Sequence, residues 1–296
     1  DLHKLCKNNK VVLLSATPFN NKPQDTFNMI KLFQKILCSL LVGSSLSIFA
    51  NIEVAQKHQI DSLKKLISIN ELSEYKVDLL NNLAVYQIVS AKYDSAKVTL
   101  DNSIFLSKEL GYKIGEGIAY RNLGKLTAMM GDRFKAMDFI DTSIQIHQEI
   151  DDQIGKANSL TQKGINFHFL QKKEEAIVCL NQALSIQQAL DNQNGIANVY
   201  GTFGLIYDDD VNTAKSLDYY FKCINIKESL SLNLEEETHL IYAYANLALS
   251  YSKQKKIDKF NEFSEIALRR MNEIGDMANA SIVNMLCAFS NLEQRK

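Results

Sequence analysis

Histidine and cysteine side chains have the strongest capacity for catalysis or metal binding in this sequence. The five histidines and five cysteines are scattered along 296 residues, with no H-E-x-x-H motif, no G-x-S-x-G motif and no C-x-x-C pair. Because catalysis needs a nucleophile, a base and a way to exclude water, we expect a chain that is not an enzyme and holds no metal or cofactor. His168, between Phe167 and Phe169, has the setting of a partly buried histidine rather than a catalytic one.

Two groups of charged residues have a spacing that suits ligand binding. Arg121 and Lys125 lie four residues apart, so on a helix they share a face and could hold a carboxylate, although a solvated helix face shows the same pattern. Asp208, Asp209 and Asp210 offer carboxylates for calcium, but the glycine and distal glutamate of a calcium loop are missing. We expect a solvated turn at the acidic run, and both interpretations of the basic pair stay open.

The composition narrows the class of protein that positions these residues. Hydrophobic residues make up 46% of the chain, enough for a sizeable core, whereas 12 glycines and 2 prolines are few for a sandwich, a collagen-like rod or a flexible linker. The formal net charge of −1 at pH 7 argues against a strongly basic nucleic-acid binder. The composition predicts a helical protein and favours interaction over catalysis.

Small residues recur regularly from Leu79 onward, which indicates internal repeats. The first column of small residues is Ala84, Gly124, Gly164, Gly204 and Ala248. Successive members of this column are 40, 40, 40 and 44 residues apart. Two further columns stand 12 and 19 residues after the first and keep these intervals. A spacing of 12 between close-packing positions predicts two antiparallel helices. We expect a tight turn at residues 130–132, where Gly131 suits the left-handed position that closes a helix.

Large apolar residues flank these columns at helical spacing. Four residues before the first column stand Leu80, Tyr120, Leu160, Tyr200 and Tyr244, and four after the second stand Leu100, Ile140, Leu180 and Tyr220. Packing between the two helices of each unit explains this recurrence without a cofactor-binding motif. We therefore interpret both sets as core positions.

The segment YRNLGKLTAMMGDRFKAMDFIDTSI resembles the tetratricopeptide repeat, whose helical hairpin has a small residue, a Gly-Asp turn, an alanine and a second small residue in these places. The resemblance covers about residues 70–275 and implies an all-α fold, a right-handed superhelical solenoid of about five hairpins. The family repeats about every 34 residues, so the period of 40–44 residues is a departure. The added length falls between the end of one hairpin and the start of the next, marked by Gly115, Gly155 and Gly195.

The resemblance also implies where a partner binds. Stacked hairpins leave a concave groove lined by the first helix of each pair, and such grooves bind peptides or partner helices. The groove positions expected here are Asn81, Val85, Arg121, Lys125, Asn158, Thr161, His168, Asn198 and Leu205. Receptors that clamp a terminal carboxylate need a residue set that Asn158, Gln162 and Thr202 do not complete. The expected function is a non-catalytic interaction scaffold, or the sensory module of a bacterial signalling protein, with a protein or peptide partner.

Residues 1–35 differ from the repeats, with six lysines against two aspartates, and we expect a fragment rather than an independent domain. Within residues 10–34, the run LLSATPFNN resembles the Ser-Ala-Thr motif of superfamily 2 helicases of the chromatin-remodelling type, here Ser15, Ala16 and Thr17. The phosphate-binding loop, the acidic magnesium motif and the arginine-bearing second lobe are missing. The alternative function is a remnant of a nucleic-acid-dependent ATPase fused to repeats, without ATP hydrolysis. We expect no nucleic-acid partner.

An uncharged apolar segment, residues 36–51, follows this fragment. It is too short to span a membrane comfortably, so no integral span is expected. Counted from Met29, with two lysines before the apolar centre and Ala50 behind it, the segment has the pattern of a secretory signal peptide. Two interpretations stay open: an exported, periplasmic protein whose natural start is Met29, or a cytoplasmic chain in which the segment is a buried helix.

The remaining boundaries follow from the repeats. We expect a leading helix region at residues 52–78, the repeats at 79–275 and a capping helix at 276–296 that closes the stack. The bound partner and the oligomeric state are left open by the sequence.

Overall fold

The computed structural model describes residues 45–208 and 213–274, with side chains from residue 57 onward, except at 213. These residues form eleven α-helices and no β-strand, which confirms the expected all-α class. The helices are α1 (Ser45–Ile69), α2 (Glu74–Val89), α3 (Tyr93–Leu110), α4 (Lys113–Met129), α5 (Arg133–Glu149), α6 (Gln153–Phe169), α7 (Lys173–Ala189), α8 (Gln193–Asp208), α9 (Thr213–Glu228), α10 (Leu234–Lys253) and α11 (Ile257–Ile274).

Several sequence expectations fall outside the described residues. These are the Ser15-Ala16-Thr17 motif, most of the signal-like segment, Asp209 and Asp210, and the capping helix at 276–296. The chain divides into two compact units, residues 1–51 and 52–296. Within the described ranges, none of the helices is long and apolar enough to cross a membrane.

Ten of these helices form five hairpins, as the repeat spacing predicts. The pairs are α2–α3, α4–α5, α6–α7, α8–α9 and α10–α11. The second helix of each hairpin also packs against the first helix of the next, and the first helices of neighbouring hairpins touch. The stack is therefore a superhelical solenoid of helical hairpins. Ahead of it, Ile67 of α1 packs against Val77 and Leu80 of α2.

Every 20 residues, a residue with a left-handed backbone conformation follows the end of a helix. The positions with positive φ in this series are Ala91, Gly111, Gly131, Asp151, Gln171 and Asp191. The prediction for Gly131 is confirmed by its φ of 100°. Helices α4 and α5 have 17 residues each and are followed by three-residue turns, so two such units make up the 40-residue period.

The glycines at the junctions between hairpins allow a close approach. Gly155 and Gly195 occupy the third position of α6 and α8, one turn into the first helix of each hairpin. A Cβ atom on Gly155 would lie 2.3 Å from Nδ1 of His147, and one on Gly195 would lie 2.2 Å from Cδ of Gln187. Both partners are buried side chains near the end of the preceding hairpin. Glycine is needed there because any side chain would displace them.

The core follows the apolar columns. Leu100, Ile140, Leu180 and Tyr220 are each fully buried, which confirms their interpretation as core positions. They lie on the second helices and pack towards the small residues of the first helices; Leu180, for example, faces Gly164. Size complementarity between the two columns therefore holds each hairpin together.

The last hairpin differs at its first helix. Helices α4, α6 and α8 each begin 11 residues before their small column residue, whereas α10 begins at Leu234, 14 residues before Ala248. The added turn is stabilised by a capping box between Asn233 and Glu236. It carries three consecutive glutamates, Glu235 to Glu237. The longer final interval in the sequence thus lengthens α10 at its N-terminus.

Candidate functional site

A cavity of about 390 Å³ opens between the first helices of the last four hairpins. We call it the groove pocket, and helices α4, α6, α8 and α10 supply most of its wall. Its polar lining includes Arg121, Asn122, Lys125, Arg133, Asn158, Thr161, Gln162, Asn166, Asn198, Thr202, Glu235, His239, Tyr242 and Asn246. Its apolar lining includes Met129, Ile165, Phe169 and Leu205.

Six of the nine expected groove positions line this pocket. They are Arg121, Lys125, Asn158, Thr161, Asn198 and Leu205. Asn81, Val85 and His168 do not. Asn81 is buried, its Nδ2 donates to the carbonyl of Gly115 at 3.1 Å, and its Oδ1 accepts from the Ser103 hydroxyl at 2.9 Å. It therefore joins the first hairpin to the second.

The other two positions outside the pocket have different surroundings. Val85 is half-buried on α2, whose hairpin does not contribute to the pocket. His168 is buried near the end of α6, with its ring edge-on to Phe169 at a centroid distance of 5.2 Å. Its neighbour Phe169, which the sequence reasoning did not select, lines the pocket instead.

A column of amide and hydroxyl side chains runs along the pocket from hairpin to hairpin. Its members are Asn122, Gln162, Thr202 and Asn246, each two residues before the small residue of its helix. These groups both donate and accept hydrogen bonds. The sequence reasoning did not identify this column, although its intervals of 40, 40 and 44 residues match those of the repeats.

Two further asparagines in the pocket are held by neighbouring side chains. Oδ1 of Asn158 accepts a hydrogen bond from Nε2 of Gln187 at 3.0 Å. Oδ1 of Asn198 lies 3.0 Å from Nδ1 of His239, and because an amide oxygen only accepts, that nitrogen carries the hydrogen. Burial, together with the positive charge of Lys125, lowers the pKa of His239 to about 3, so its ring is neutral at pH 7.

The charges of the pocket are mainly positive. Its described lining contains three cations, Arg121, Lys125 and Arg133, and a single carboxylate, that of Glu235. Nη2 of Arg121 lies 3.5 Å from Oε2 of Glu235, and both side chains are largely buried. Arg121 above all, with Lys125, lowers the pKa of Glu235 to about 2 despite the opposing effect of burial. The acid is therefore ionised at any physiological pH.

The α4–α6 end of the pocket is apolar and aromatic. The guanidinium of Arg133 lies 4.1 Å from the centroid of the Phe169 ring and donates to Oδ1 of Asn166 at 3.3 Å. Phe169 and Met129 remain 48% and 37% exposed, so both can contact a ligand. The pocket thus offers an apolar surface beside groups that form hydrogen bonds, as ligand sites commonly do.

Two groups that line the pocket have pKa values far from their ordinary ones, Cys223 and His239. Burial raises the pKa of the Cys223 thiol to about 11, so this sulfur is protonated and a poor nucleophile at pH 7. The ring of His239 carries no positive charge at that pH. Among the described residues, no three histidine, cysteine, aspartate or glutamate side chains are grouped so that they could hold a metal ion.

A buried lysine lies close to the glutamates of α10. Lys227 of α9 is fully buried, and its Nζ donates to Oδ1 of Asn194 at 2.6 Å. Burial lowers the pKa of Lys227, while the carboxylates of Glu235, Glu236 and Glu237 act in the opposite direction. The folded protein therefore holds this proton less tightly than the unfolded chain does.

Lys227→Met is expected to remove a pH-dependent part of the stability. A lysine whose pKa is lower in the folded state makes the free energy of unfolding rise with pH, from the folded-state pKa up to the ordinary value of 10.5. The unfolding free energy of the wild type, minus that of the variant, should therefore increase between pH 7 and pH 10 in urea titrations. Methionine suits the site because buried Met271 holds the matching position one repeat later.

The control for this prediction is Lys222→Met, an exposed lysine on the same helix paired with Asp218. Its difference from the wild type should show no rise over the same range. A constant difference for Lys227→Met would contradict the assignment of a desolvated ammonium group.

The fold defines a class, the helical-repeat solenoids, and the groove pocket lies on the first helices of its hairpins. Residues 115–189 match the tetratricopeptide repeat. No curated protein matches the chain.

Solved structures share the fold at low sequence identity. NprR in complex with its cognate peptide NprX has a TM-score of 0.63 and 15% identity, covering 100% of this chain and 79% of that one. The Cut9–Hcn1 hetero-tetramer of the APC/C has a TM-score of 0.59 and 14% identity, covering 93% of this chain and 47% of that one. BtubC from P. vanneervenii has a TM-score of 0.50 and 18% identity, covering 76% and 92%. These similarities show that the chain shares the helical-repeat fold of the three structures.

Proposed function

We propose that this chain is a non-catalytic interaction module that binds an extended peptide segment of a partner in the groove pocket. The observation that carries the proposal is the polar column Asn122, Gln162, Thr202 and Asn246 beside an apolar surface. Amides that both donate and accept can pair with the backbone of any extended peptide. The neighbouring apolar side chains then receive side chains of that peptide.

The spacing of the column fits an extended chain. First helices of neighbouring hairpins are in contact, and packed helices have axes about 8–10 Å apart. An extended peptide advances about 3.3 Å per residue, so each step along the column corresponds to about three peptide residues. Four members therefore accommodate a segment of about nine residues.

Three further observations support this function. The pocket volume of about 390 Å³ lies in the range of ligand sites, about 300–1,000 Å³. NprR, which has the same type of solenoid, was solved with a bound peptide. The protonated Cys223 and the neutral His239 favour binding over catalysis. The expected export rests on the signal-like pattern at residues 29–50, and the ATPase alternative rests on the helicase-like residues 10–34.

The test is selection of ligands from a display library of random nine-residue peptides by the full chain. The enriched peptides should bind in fluorescence polarisation, and Gln162→Ala combined with Asn246→Ala should weaken binding about tenfold. The reason is that a hydrogen bond contributes about 0.5–1.5 kcal/mol and about 1.4 kcal/mol corresponds to a factor of ten. Circular dichroism should show unchanged helicity.

The matched control is Gln145→Ala, an exposed glutamine on α5 that does not line the pocket. It should leave the affinity unchanged. A library that yields no binder, or an equal loss of affinity in the control, would contradict peptide binding in the groove pocket.

A further inference from the structure

Glu235 differs from the two glutamates that follow it. Oε2 of Glu236 accepts from the backbone N–H of Asn233 at 2.9 Å and completes the capping box. Oε1 of Glu237 accepts from Nη1 of Arg270 at 2.6 Å. Both carboxylates are therefore held by residues of the last hairpin or of the segment just before it. Glu235 instead lines the groove pocket and faces Arg121.

The pair of Arg121 and Glu235 crosses the groove. Arg121 lies on α4 and Glu235 on α10, and helices α6 and α8 come between them in the order of the stack. Their closest atoms are 3.5 Å apart, longer than the 2.7–2.9 Å or so of a charge-assisted hydrogen bond. Arg270 makes contacts of 2.6 Å with Glu237 and Glu228. The contact across the groove is therefore the longer of the two.

The surroundings of Glu235 favour an anion. Arg121 and Lys125 lie one helical turn apart on α4 and both line the pocket, with Arg133 further along the same wall. Their positive charge outweighs the cost of burying the Glu235 carboxylate, whose pKa is about 2. His239 contributes no charge at neutral pH. Without Glu235, the described lining would hold three cations and no anion.

We propose that Arg121 and Lys125 form a binding site for a carboxylate of the peptide ligand, and that Glu235 occupies this site in the free protein as an internal competitor. The ligand is then an acidic peptide whose aspartate, glutamate or C-terminal carboxylate displaces Glu235 from Arg121. The extra turn of α10 explains how the competitor reaches the site, because Glu235 lies on that turn and lines the pocket. The peptide nature of the ligand rests on the proposed function, whereas the carboxylate site does not.

The first experiment needs no peptide and uses acetate as the probe. Glu235→Ala should leave the site open, so acetate should shift the Arg121 Nε–Hε signal in NMR spectra of the variant. The half-saturating concentration should be at least tenfold lower than in the wild type. The signal is assigned by its loss in Arg121→Lys. Glu235→Gln, which keeps the shape of the side chain, serves if the alanine variant does not fold.

The control is Asp218→Ala, which opens an exposed pair with Lys222, neither of which lines the pocket. It should leave the response of Arg121 to acetate as in the wild type. If the Arg121 signal does not respond to acetate in either Glu235 variant, or responds equally in the wild type, the proposal is overturned.

The second experiment uses peptides selected by the wild-type chain. Glu235→Gln should bind carboxylate-bearing peptides about tenfold more tightly than the wild type does. For analogues in which Asn or Gln replaces the acidic residue, the variant and the wild type should have the same affinity. Comparing free-acid with amidated C-termini separates a terminal carboxylate from a side-chain one. Weaker binding of lysine- or arginine-bearing peptides by the variant would show that Glu235 contacts the ligand directly, which overturns the proposal. If the library yields no binding peptide, the proposed peptide-binding function is refuted. The acetate titration would still test the carboxylate site independently.

Discussion

Phe203→Ala is expected to lower the free energy of unfolding by about 3–5 kcal/mol. Phe203 is only 3% exposed on α8, and its ring stacks on Tyr219 at a centroid distance of 5.1 Å. It belongs to a core cluster that also contains Leu160, Leu180 and other residues of the third and fourth hairpins. Alanine would leave a cavity between two hairpins, and a solenoid relies on such neighbour contacts.

The measurement is urea denaturation followed by circular dichroism at 222 nm. The matched control is Phe134→Ala, the same chemical change at a ring that is 74% exposed on α5. Surface changes of this kind cost less than about 0.5 kcal/mol. Equal losses in the two variants would mean that Phe203 is not part of a packed interface.

Gly204→Ala is expected to lower the free energy of unfolding by about 2 kcal/mol, because overpacking a core costs about 1–3 kcal/mol or more. A Cβ atom on Gly204 would lie 2.5 Å from Cδ1 and Cε1 of Tyr220. The Tyr220 side chain is fully buried and its ring is rigid, so it has no free space to move into. The intrinsic helix preference of alanine, about 1 kcal/mol, offsets only part of this cost.

Gly164→Ala is the matched control in the preceding hairpin. Its Cβ would lie 3.0 Å from a methyl group of Leu180, 3.1 Å from Cγ of the same side chain and 3.3 Å from the carbonyl oxygen of Ala176, so each contact is only a few tenths of an ångström too short. We therefore expect a change close to zero. Tyr220→Leu should make Gly204→Ala milder, giving a coupling of about 0.5–3 kcal/mol in a double-mutant cycle. Additive effects of the two substitutions would contradict the proposed contact between Gly204 and Tyr220.

The sequence predicted the local architecture because each hairpin repeats the same short-range requirements. The spacing of 12 between Gly124 and Ala136 indicated a close helix pair, and Gly131 indicated the turn between α4 and α5. The fully buried Leu180 and Tyr220 followed from the same periodicity. Lys163 directly precedes the small residue of its helix, where the next repeat has the apolar Phe203. Its side chain is half-buried, and its Nζ lies 2.5 Å from Oδ1 of Asp141. An apolar pattern tolerates such an exception because a long side chain reaches water.

The site was predicted less completely because it is built from several hairpins at once. Position within a helix predicted groove residues at Arg121 and Lys125, which line the pocket, and also at Asn81, which instead joins hairpins in the interior. The same type of position is a groove residue in one repeat and a buried contact in another. Which of the two applies depends on where the pocket opens along the stack, and a single repeat contains no information on this.

By itself, the sequence determined the helices, their turns and the small-to-large packing inside each hairpin, since those contacts join residues fewer than about 20 positions apart. The tertiary structure decided which first helices enclose a cavity and which charges meet across it. Arg121 and Glu235 are separated by 114 positions and meet because the hairpins curve around the groove while the added turn of α10 extends into it. That curvature is the sum of small rotations between neighbouring hairpins, and only the assembled stack expresses it.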